Sequence, residues 1–350
     1  MTKEYIKSPM NYIGNKYRIM GQIQKWFPRK IDTMVDLFCG GCDVTINTDA
    51  QTHYANDINY HVIDIFTEFQ KYSTDYILGY IDGTIDKWHL SKTDAEAYKM
   101  FRDHYNATKE PLDLYILMCF SFNYQFRFNS NHDYNNPFGK DRSSFNDVMR
   151  ANLIKTLDRL SDVHFTSKEF QDYDFGVLKQ GDFLYADPPY LITCGSYNDG
   201  KRGFTGWSEK EETDLYSILT DLDKHGIKFA LSNVIEHKGV KNDILAKWYR
   251  DNKYHLHGVN FNYNNSNYHA KNTDKVTKEV LVTNYCCEVA NMKKKSDKKE
   301  IKYLNVCMDK ALHEEFEQFC KDMGMSKTGA CENAIRLYMD KMRKAVKTIK

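Results

Sequence analysis

The chain has 350 residues, 41% of them hydrophobic, and a formal net charge of +1. This length suits one large α/β domain with an insertion or two to three smaller units, and the net charge gives no global sign of nucleic-acid binding. No apolar run approaches the ~20 residues of a membrane-spanning helix, and nine cysteines without a signal peptide or regular spacing indicate free thiols in a reducing cytoplasm.

The first predicted unit is a strand, a tight loop and a helix. The apolar run Val35–Phe38 ends in a glycine-containing turn, and Val44 to Thr48 can begin a helix behind it. The turn does not match the G-x-G-x-x-G pattern of dehydrogenases. Asp57 follows about 20 residues after the first strand, where an acid at the end of a second strand suits ribose hydroxyls.

Cys39 and Cys42, within the same loop, have the spacing of a redox pair or of half a zinc site. No second pair of this kind and no strong histidine cluster accompanies them. We therefore expect no metal site.

The later elements alternate between helices and strands. Helices are predicted at 60–72, 91–105, 112–118, 208–224 and 240–252, and further strands at 183–186, 228–232 and 280–283. This alternation predicts a mostly parallel sheet with ligands at the carboxyl ends of its strands. Between Asp75 and Phe170 the pattern becomes mixed, aromatic and polar, which indicates an inserted subdomain.

The motif with the clearest chemistry follows the predicted strand 183–186 directly and consists of Asp187, Pro188, Pro189 and Tyr190. Asp187 can accept one hydrogen of an exocyclic amine, and the carbonyl of Pro188, fixed by two prolines, can accept the other. The amine lone pair then becomes available to attack a methyl group, while Tyr190 offers a stacking face. A simple proline turn is the alternative. With the glycine loop and Asp57, the motif predicts S-adenosylmethionine as the cofactor.

Five ordered motifs resemble the Dam-type, or alpha-group, DNA adenine-N6 methyltransferases over roughly residues 8 to 286. They are 8–17, 35–40, 56–59, 187–190 and 279–285. The resemblance implies a Rossmann-like S-adenosylmethionine-dependent methyltransferase fold, with Cys42 at the position of a usual glycine, where its side chain would crowd the turn. The implied catalytic residues are Asp187, Pro188, Pro189 and Tyr190. The implied cofactor-binding residues are Tyr12, Gly14, Lys16, Asp36, Phe38, Gly40, Asp57 and Asp187.

The segments 122–129 and 136–139 resemble the recognition hairpin of the same family. An adenine must leave the duplex to reach Asp187, so the resemblance assigns Phe122 to a wedge in the base stack and Asn123 to the orphaned partner base. Arg127 takes the position that reads guanine O6 and N7. Core packing is the alternative for Phe122 and the neighbouring phenylalanines.

Two positions depart from the enzymes of this family that read GATC. Asn11 replaces a lysine that contacts guanine, and Gln125 replaces an aliphatic residue that touches a thymine methyl group. We therefore expect an adenine target flanked by at least one G·C pair. The implied DNA-binding residues of this region are Asn11, Phe122, Asn123, Gln125, Arg127, Asn129 and Pro137.

The last 60 residues carry an excess of Lys and Arg, whereas the preceding part carries an excess of Asp and Glu. Lys302 to Met308 alternates polar and apolar residues, a helix begins near Asp309, and Ser326 caps a second helix. This segment resembles ribbon-helix-helix domains, which dimerise by pairing strands that enter the major groove. The residues expected to face DNA are Tyr303, Asn305 and Cys307. A helical dimerisation tail is the alternative.

The predicted domains are 1–74 with 171–290 for cofactor binding and catalysis, 75–170 for target recognition, 291–300 as a basic linker, and 301–350 as a ribbon-helix-helix unit. The predicted function is site-specific adenine-N6 methylation of double-stranded DNA by a cytoplasmic homodimer of the bacterial or phage restriction-modification type, with no membrane contact. The alternatives are a sequence-specific repressor with a non-catalytic methyltransferase domain, or methylation of another planar amine, such as cytosine N4 or a base in RNA.

Overall fold

A computed structural model describes residues 3–193, 206–259, 277–286 and 310–322. The chain divides into two compact units, Met1–Ala290 and Asn291–Lys350. Nearly all of the described structure belongs to the first unit.

The first unit alternates strands and helices for much of its length. Its strands are β1 Thr33–Asp36, β2 Thr52–Asn56, β3 Val163–Thr166, β4 Phe183–Ala186, β5 Lys228–His237, β6 Val240–Lys241, β7 His255–Val259 and β8 Thr277–Thr283. Its helices are α1 Met20–Ile23, α2 Asp43–Asn47, α3 Tyr60–Lys71, α4 Thr74–Trp88, α5 Ala95–Thr108, α6 Pro111–Phe120, α7 Asp147–Leu157, α8 Glu209–Lys224 and α9 Asp243–Asp251.

One sheet of eight strands organises the unit, in the order β3-β2-β1-β4-β5-β8-β7, with the short β6 paired to β5. The five strands from β3 to β5 are parallel, and β8 runs antiparallel to both β5 and β7. Parallel strands bring their carboxyl ends to one edge of the sheet, which is where such folds bind ligands. The prediction of a mostly parallel α/β sheet is confirmed.

Both faces of this sheet are covered. Along β4, Phe183 and Tyr185 pack with residues of α1, whereas Leu184 and Ala186 pack with residues of α8. All four side chains are buried, because alternate residues of a strand point to opposite faces of the sheet and both faces are covered. A central parallel strand covered on both sides reads as a continuous apolar run, which explains why this strand has the predicted bounds.

A separate cluster of packed helices is built around α6. Every residue of α6 from Leu112 to Phe120 is buried, and α3, α4 and α5 pack against it. A helix that is apolar on all sides must be enclosed by its neighbours. This helical cluster supports the segment that follows α6, which the sequence analysis assigns to DNA recognition.

The predicted range 75–170 for the inserted subdomain needs one correction. It includes β3, which pairs in parallel with β2 and therefore belongs to the central sheet. The segment Val163 to Thr166 has only four residues of mixed polarity, so it does not show the two-residue alternation that predicts a strand. The division of the remaining residues into subdomains stays a prediction.

Several helix starts differ from the predicted ones because side-chain caps set them. Asp94 accepts a hydrogen bond from the Ala97 amide and starts α5, and Asn242 accepts one from the Leu245 amide and starts α9. Ser73 caps α4, a helix that the sequence analysis did not predict. The two residues before Asn242 form β6 and not the first turn of a helix.

The second unit is described only over helix α10, Lys310–Asp322. This helix confirms the one predicted to begin near Asp309. The predicted strand 302–308, with Tyr303, Asn305 and Cys307, and the predicted second helix lie outside the described residues. Over the described ranges, none of the helices has the length and apolar composition needed to cross a membrane.

Candidate active site

Asp187 lies directly beyond β4, at the carboxyl edge of the sheet, in contact with Lys16 from the amino-terminal segment. Its Oδ2 is 2.9 Å from Lys16 Nζ, and its Oδ1 accepts a hydrogen bond of 2.9 Å from the Tyr190 hydroxyl. The Asp187 and Lys16 side chains are 16% and 7% exposed. The structure thus brings three of the predicted site residues together in a largely buried cluster.

Glu279 of β8 completes this cluster. Its Oε1 lies 2.9 Å from the Tyr190 hydroxyl and 3.5 Å from Lys16 Nζ. From the sequence, Glu279 is expected only as the first residue of a matching strand motif and not as part of the site. The signal was present in the sequence, because a carboxylate beginning an apolar run of a central strand is costly to bury unless it has a cationic or hydrogen-bonding partner.

Burial dominates the acid–base properties of the cluster. It raises the pKa of Asp187, and the nearby Lys16 ammonium opposes that rise. Burial also raises the pKa of the Tyr190 hydroxyl well above its usual value. The Tyr190 hydroxyl therefore acts as a neutral hydrogen-bond donor, and it can give its single hydrogen to one carboxylate at a time.

Asp36, the last residue of β1, has a buried oxygen without a partner. Its Oδ2 accepts a hydrogen bond of 2.7 Å from the Thr45 hydroxyl, whereas Oδ1 has no hydrogen-bond partner among the described residues. Asp36 is 1% exposed, and burial raises its pKa to about 7. An orphaned carboxylate oxygen of this kind indicates a missing donor, and a cationic group would satisfy it best.

The loop after β1 needs a glycine where Tyr12 packs on it. Gly40 has φ +46°, and a Cβ atom there would lie 2.7 Å from Cδ1 of Tyr12. The Asp57 carboxylate fixes the same loop by accepting hydrogen bonds from the amides of Gly40 and Asn59, both at 2.9 Å. Asp57 therefore shapes the loop in addition to any role toward a ribose.

The two loop cysteines are free, buried thiols. Burial raises the pKa values of both, so neither is an activated thiolate. Cys42 takes the left-handed conformation, with φ 62°, and its side chain packs in the core, so the turn accommodates this residue. Within the described residues, His, Cys, Asp and Glu side chains do not group in threes or more as a metal site would require.

An aromatic cluster that the sequence analysis missed supports Phe38. The Phe38 ring lies 5.6 Å from the ring of Phe170 and 5.8 Å from that of Trp207. Trp207 is fixed in turn, because its indole donates a hydrogen bond of 2.7 Å to the fully buried Glu212. The cluster gives the loop after β1 an apolar aromatic wall.

The hairpin after α6 separates an exposed phenylalanine from a buried one. Phe122 is 45% exposed, whereas Phe128 is 5% exposed and stacks 3.9 Å from the ring of His61. Core packing therefore describes Phe128 but not Phe122. The Phe122 amide donates a hydrogen bond to the Pro137 carbonyl, which fixes the backbone beneath the exposed ring.

Asn136 anchors the same hairpin from inside. It is 2% exposed, and its side-chain amide donates to the carbonyls of Phe122 and Gln125, both at 3.0 Å. Gly139 allows the close return of the chain, since a Cβ atom there would lie 2.7 Å from the Ser121 carbonyl oxygen. The Asn136 side chain thus holds the hairpin through its backbone carbonyls, and this leaves the Phe122 side chain exposed.

A cleft of about 640 Å³ lies between this hairpin and the amino-terminal segment. Asn11 bridges the two, because its side-chain amide donates a hydrogen bond of 2.9 Å to the Asn123 carbonyl. The lining residues are Asn11, Arg18, Phe122, Asn123, Tyr124, Gln125, Arg142 and Ser143. Four predicted DNA-binding residues thus share one cleft with two arginines that the sequence analysis missed.

The other three DNA-binding residues predicted in this region, Arg127, Asn129 and Pro137, lie outside the lining of this cleft. Arg127 is exposed and makes no ion pair with any described residue. Asn129 uses its side-chain oxygen to accept hydrogen bonds from the amides of Asn131 and Asp133, which closes the hairpin turn. Asn129 therefore has a structural role in the turn.

Comparison with known proteins gives a consistent set of relatives. Residues 12–265 match the family described as D12 class N6 adenine-specific DNA methyltransferases. The chain is 47% identical over 293 residues to modification methylase StsI of Streptococcus sanguinis, which covers 83% of this chain and 45% of that protein. It is 46% identical over 286 residues to the type II methyltransferase M.FokI of Planomicrobium okeanokoites, which covers 81% and 44%.

A more distant relative has a length closer to that of the first unit. The DNA adenine methylase of Escherichia coli K12 is 23% identical over 251 residues, which cover 71% of this chain and 85% of that protein. The chain spans less than half the length of StsI and M.FokI. Since the family match covers most of the sheet and the hairpin, together with Asp187 and its neighbours, the chain belongs to the D12 class N6 adenine-specific DNA methyltransferases.

Proposed function

We propose that the chain transfers a methyl group from S-adenosylmethionine to N6 of an adenine rotated out of duplex DNA, as the modification enzyme of a restriction-modification system. The observation that supports this proposal most directly is that two acidic residues, Asp36 and Asp187, lie near each other at the carboxyl edge of the sheet. Asp36 lies opposite Tyr185 on the neighbouring strand, and Asp187 follows two residues later. A cofactor site and a substrate site are therefore adjacent.

The residues present fit the cofactor. The unpartnered Oδ1 of Asp36 would accept a hydrogen bond from its ammonium group, Tyr12 and Phe38 would border its apolar parts, and Asp57 would reach its ribose. When bound, S-adenosylmethionine supplies an electrophilic methyl group. Gly14 and Lys16 lie close together in the amino-terminal segment, since Lys16 Nζ donates a hydrogen bond of 3.2 Å to the Gly14 carbonyl.

The motif after β4 would orient the amine of the target base. Asp187 would accept one N6 hydrogen and the Pro188 carbonyl the other, and the ring of Tyr190 would stack on the adenine. Pro189 keeps the Pro188 carbonyl in a fixed direction. This arrangement turns the N6 lone pair away from the ring and toward the methyl group.

A methyl-transfer assay tests the proposed function. The full chain is incubated with S-adenosylmethionine that carries a tritiated methyl group, and with duplex DNA, RNA or protein as acceptor. We expect label in duplex DNA only, and sequencing of the modified bases should locate it on adenine in one short sequence. Label confined to RNA, protein or cytosine, or DNA binding without transfer, would contradict the proposal.

In the proposed complex, Phe122 would fill the gap left by the adenine, and Asn11, Asn123, Gln125 and Arg127 would contact bases. An exposed arginine free of ion pairs can present both guanidinium nitrogens to guanine O6 and N7. We expect Arg127→Ala to weaken binding to the methylated site by about 1 to 3 kcal/mol and to relax specificity at one position. Fluorescence anisotropy with duplexes changed one base pair at a time measures both effects.

Lys30→Ala is the matched control for the charge that is lost. Lys30 is 79% exposed, pairs with Asp32, and precedes β1 at the opposite edge of the sheet. This variant should bind the site and its changed duplexes as the wild type does. Equal weakening of all duplexes by Arg127→Ala would assign Arg127 to the phosphate backbone and not to a base.

For the last 60 residues we propose a ribbon-helix-helix unit that dimerises the chain and adds DNA affinity through Tyr303, Asn305 and Cys307. The basic charge excess of this segment supports it. We expect deletion of residues 302–350 to give a monomer in light scattering, with methyl transfer retained and DNA binding weakened. An unchanged dimer after the deletion would disprove the role in dimerisation.

A further inference from the structure

We infer that Glu279 is a positioning residue of the catalytic centre: it receives Lys16 and the Tyr190 hydroxyl when the target amine takes their place on Asp187, and it makes the centre negative overall. The inference rests on the proposed function. It concerns a residue that the motif after β4 does not include.

The hydrogen bonds of Asp187 create the need for such a residue. Both of its oxygens already have a donor group within 2.9 Å, the Lys16 ammonium at Oδ2 and the Tyr190 hydroxyl at Oδ1. Each carboxylate oxygen can accept a second hydrogen bond, but only 16% of the side chain is exposed, so an incoming N6 amine would compete with these donors for the open face of Asp187. A buried donor that moves without a new acceptor is left unsatisfied, which is costly.

Glu279 is already within reach of both donors. Its Oε1 lies 2.9 Å from the Tyr190 hydroxyl and 3.5 Å from Lys16 Nζ. The Glu279 side chain is 5% exposed, so it does not exchange its partners for bulk water. Tyr190 can redirect its hydroxyl hydrogen from Asp187 to Glu279 by rotation about its C–O bond, without moving its ring.

The charges of the cluster favour the reaction. Two carboxylates and one ammonium leave one negative charge in excess. Once the N6 lone pair has bonded to the methyl carbon, and the electrons of the broken bond have stayed on the departing sulfur, N6 is positive until one of its protons passes to Asp187. A negative centre stabilises that charge in advance, and the proton then neutralises the centre.

Glu279→Gln tests this inference because it keeps the shape and an acceptor oxygen but removes the charge. We expect the single-turnover rate of methyl transfer to fall by about a hundredfold. The dissociation constant for the cofactor should change less than about threefold, since the proposed cofactor site does not include Glu279. A rate within about threefold of wild type would overturn the inference.

A second measurement needs no cofactor. Duplexes with adenine or unsubstituted purine at the methylated position differ in the N6 amine and therefore also in the cost of unpairing the base. That cost is the same for every protein variant, so a change in the affinity ratio between variants reports the amine's contact with Asp187. We expect the wild type to prefer adenine and Glu279→Gln to lose this preference. A structural role for Glu279 would weaken both duplexes equally and leave the ratio unchanged, which would also overturn the inference.

Two further variants keep the test decisive. Glu236→Gln removes a carboxylate of β5 that pairs with Lys278 at 2.8 Å on the exposed side, and it should match the wild type. Glu279→Asp keeps the charge with a shorter reach, so its rate should lie between wild type and Glu279→Gln, and a larger loss than in Glu279→Gln would contradict the charge argument. If the wild type itself fails to methylate DNA, the proposed function fails; if only the Glu279 variants behave as wild type, this inference alone fails.

Discussion

Replacing Asp187 with alanine is expected to lower the rate of methyl transfer to duplex DNA by about a thousandfold or more. The carboxylate is the acceptor that draws the N6 amine out of the plane of its ring, and alanine leaves that hydrogen without a partner. The Pro188 carbonyl alone can orient only one of the two N–H bonds. Single-turnover transfer of a tritiated methyl group to the mapped site measures the loss.

The fold should survive this substitution. Lys16, which loses Asp187 as its partner, keeps Glu279 at 3.5 Å and the Tyr190 hydroxyl at 2.8 Å, so its buried ammonium is not left unpaired. Because burial raises the pKa of Asp187, the carboxylate adds no large stability of its own at neutral pH. We expect a melting temperature close to that of the wild type.

Asp32→Ala provides the matched control. Asp32 is a 58% exposed acid that precedes β1 at the opposite edge of the sheet. Its removal should leave methyl transfer unchanged. Retention of wild-type activity by Asp187→Ala, with the control behaving as expected, would disprove the assigned role of the motif after β4.

The second large effect concerns Asp36 and the pH dependence of cofactor binding. Only its ionised form can pair with the cofactor ammonium, and its pKa lies at about 7. The dissociation constant should therefore rise about tenfold for each pH unit below 7. Above pH ~8 the α-amino group of the cofactor loses its own charge, so affinity should peak between pH ~7 and ~8.

Asp36→Asn should remove the acid limb of this profile. It should also weaken binding at the optimum by about 1.5 to 3 kcal/mol, or roughly 10- to 150-fold, because a charge-assisted hydrogen bond becomes a neutral one. Isothermal titration calorimetry between pH 5.5 and 8.5 measures both effects. A wild-type affinity that stays constant from pH 5.5 to 7.5 would contradict the pairing of Asp36 with the ammonium.

The groups that face Asp36 define the controls. Asp187 and Asp57 raise its pKa by like-charge repulsion, and the Thr45 hydroxyl lowers it. Asp43 also has a pKa raised by burial to about 7, but its carboxylate accepts a hydrogen bond from the Ser8 amide. Asp43→Asn should therefore keep the acid limb that Asp36→Asn removes.

The same raised pKa predicts a cost to the cofactor-free protein. The pKa of this carboxyl group is about 7 in the folded state and 3.8 in the unfolded state. Its contribution to the free energy of unfolding is therefore fully present below pH ~4 and is lost as the pH rises to 7. Asp36→Asn should consequently raise the melting temperature of the free protein at pH 8. Thermal unfolding followed by circular dichroism measures this change.

Much of the fold could be predicted because its central strands are buried on both faces. Phe183–Ala186 reads as one apolar run and has the predicted bounds, whereas the short strand Val163–Thr166 carries no period and was missed. Helix ends were predicted less well, because a single cap such as Asn242 decides them through a local hydrogen bond that the apolar period does not report.

The site could be predicted in part. The motif at Asp187 and the positions of Lys16 and Tyr190 come from local patterns, and the structure brings them together. Glu279 and Arg142 reach their neighbours only through the folded chain, since Glu279 lies 89 residues beyond Tyr190. Exposure separates Phe122 from Phe128, and no property of the two residues alone could have done so.

The way Asn136 anchors the hairpin has a consequence for the evolution of specificity. Its amide binds the backbone carbonyls at positions 122 and 125, not their side chains. These two hydrogen bonds therefore do not depend on which side chains stand at positions 122 and 125. Exchange of the side chains at 125 and 127 should change the bases that are read while the hairpin keeps its fold, whereas Asn123 has φ 55°, a conformation that few other residues adopt. A small library at positions 125 and 127 is therefore a starting point for engineering new methylation sites.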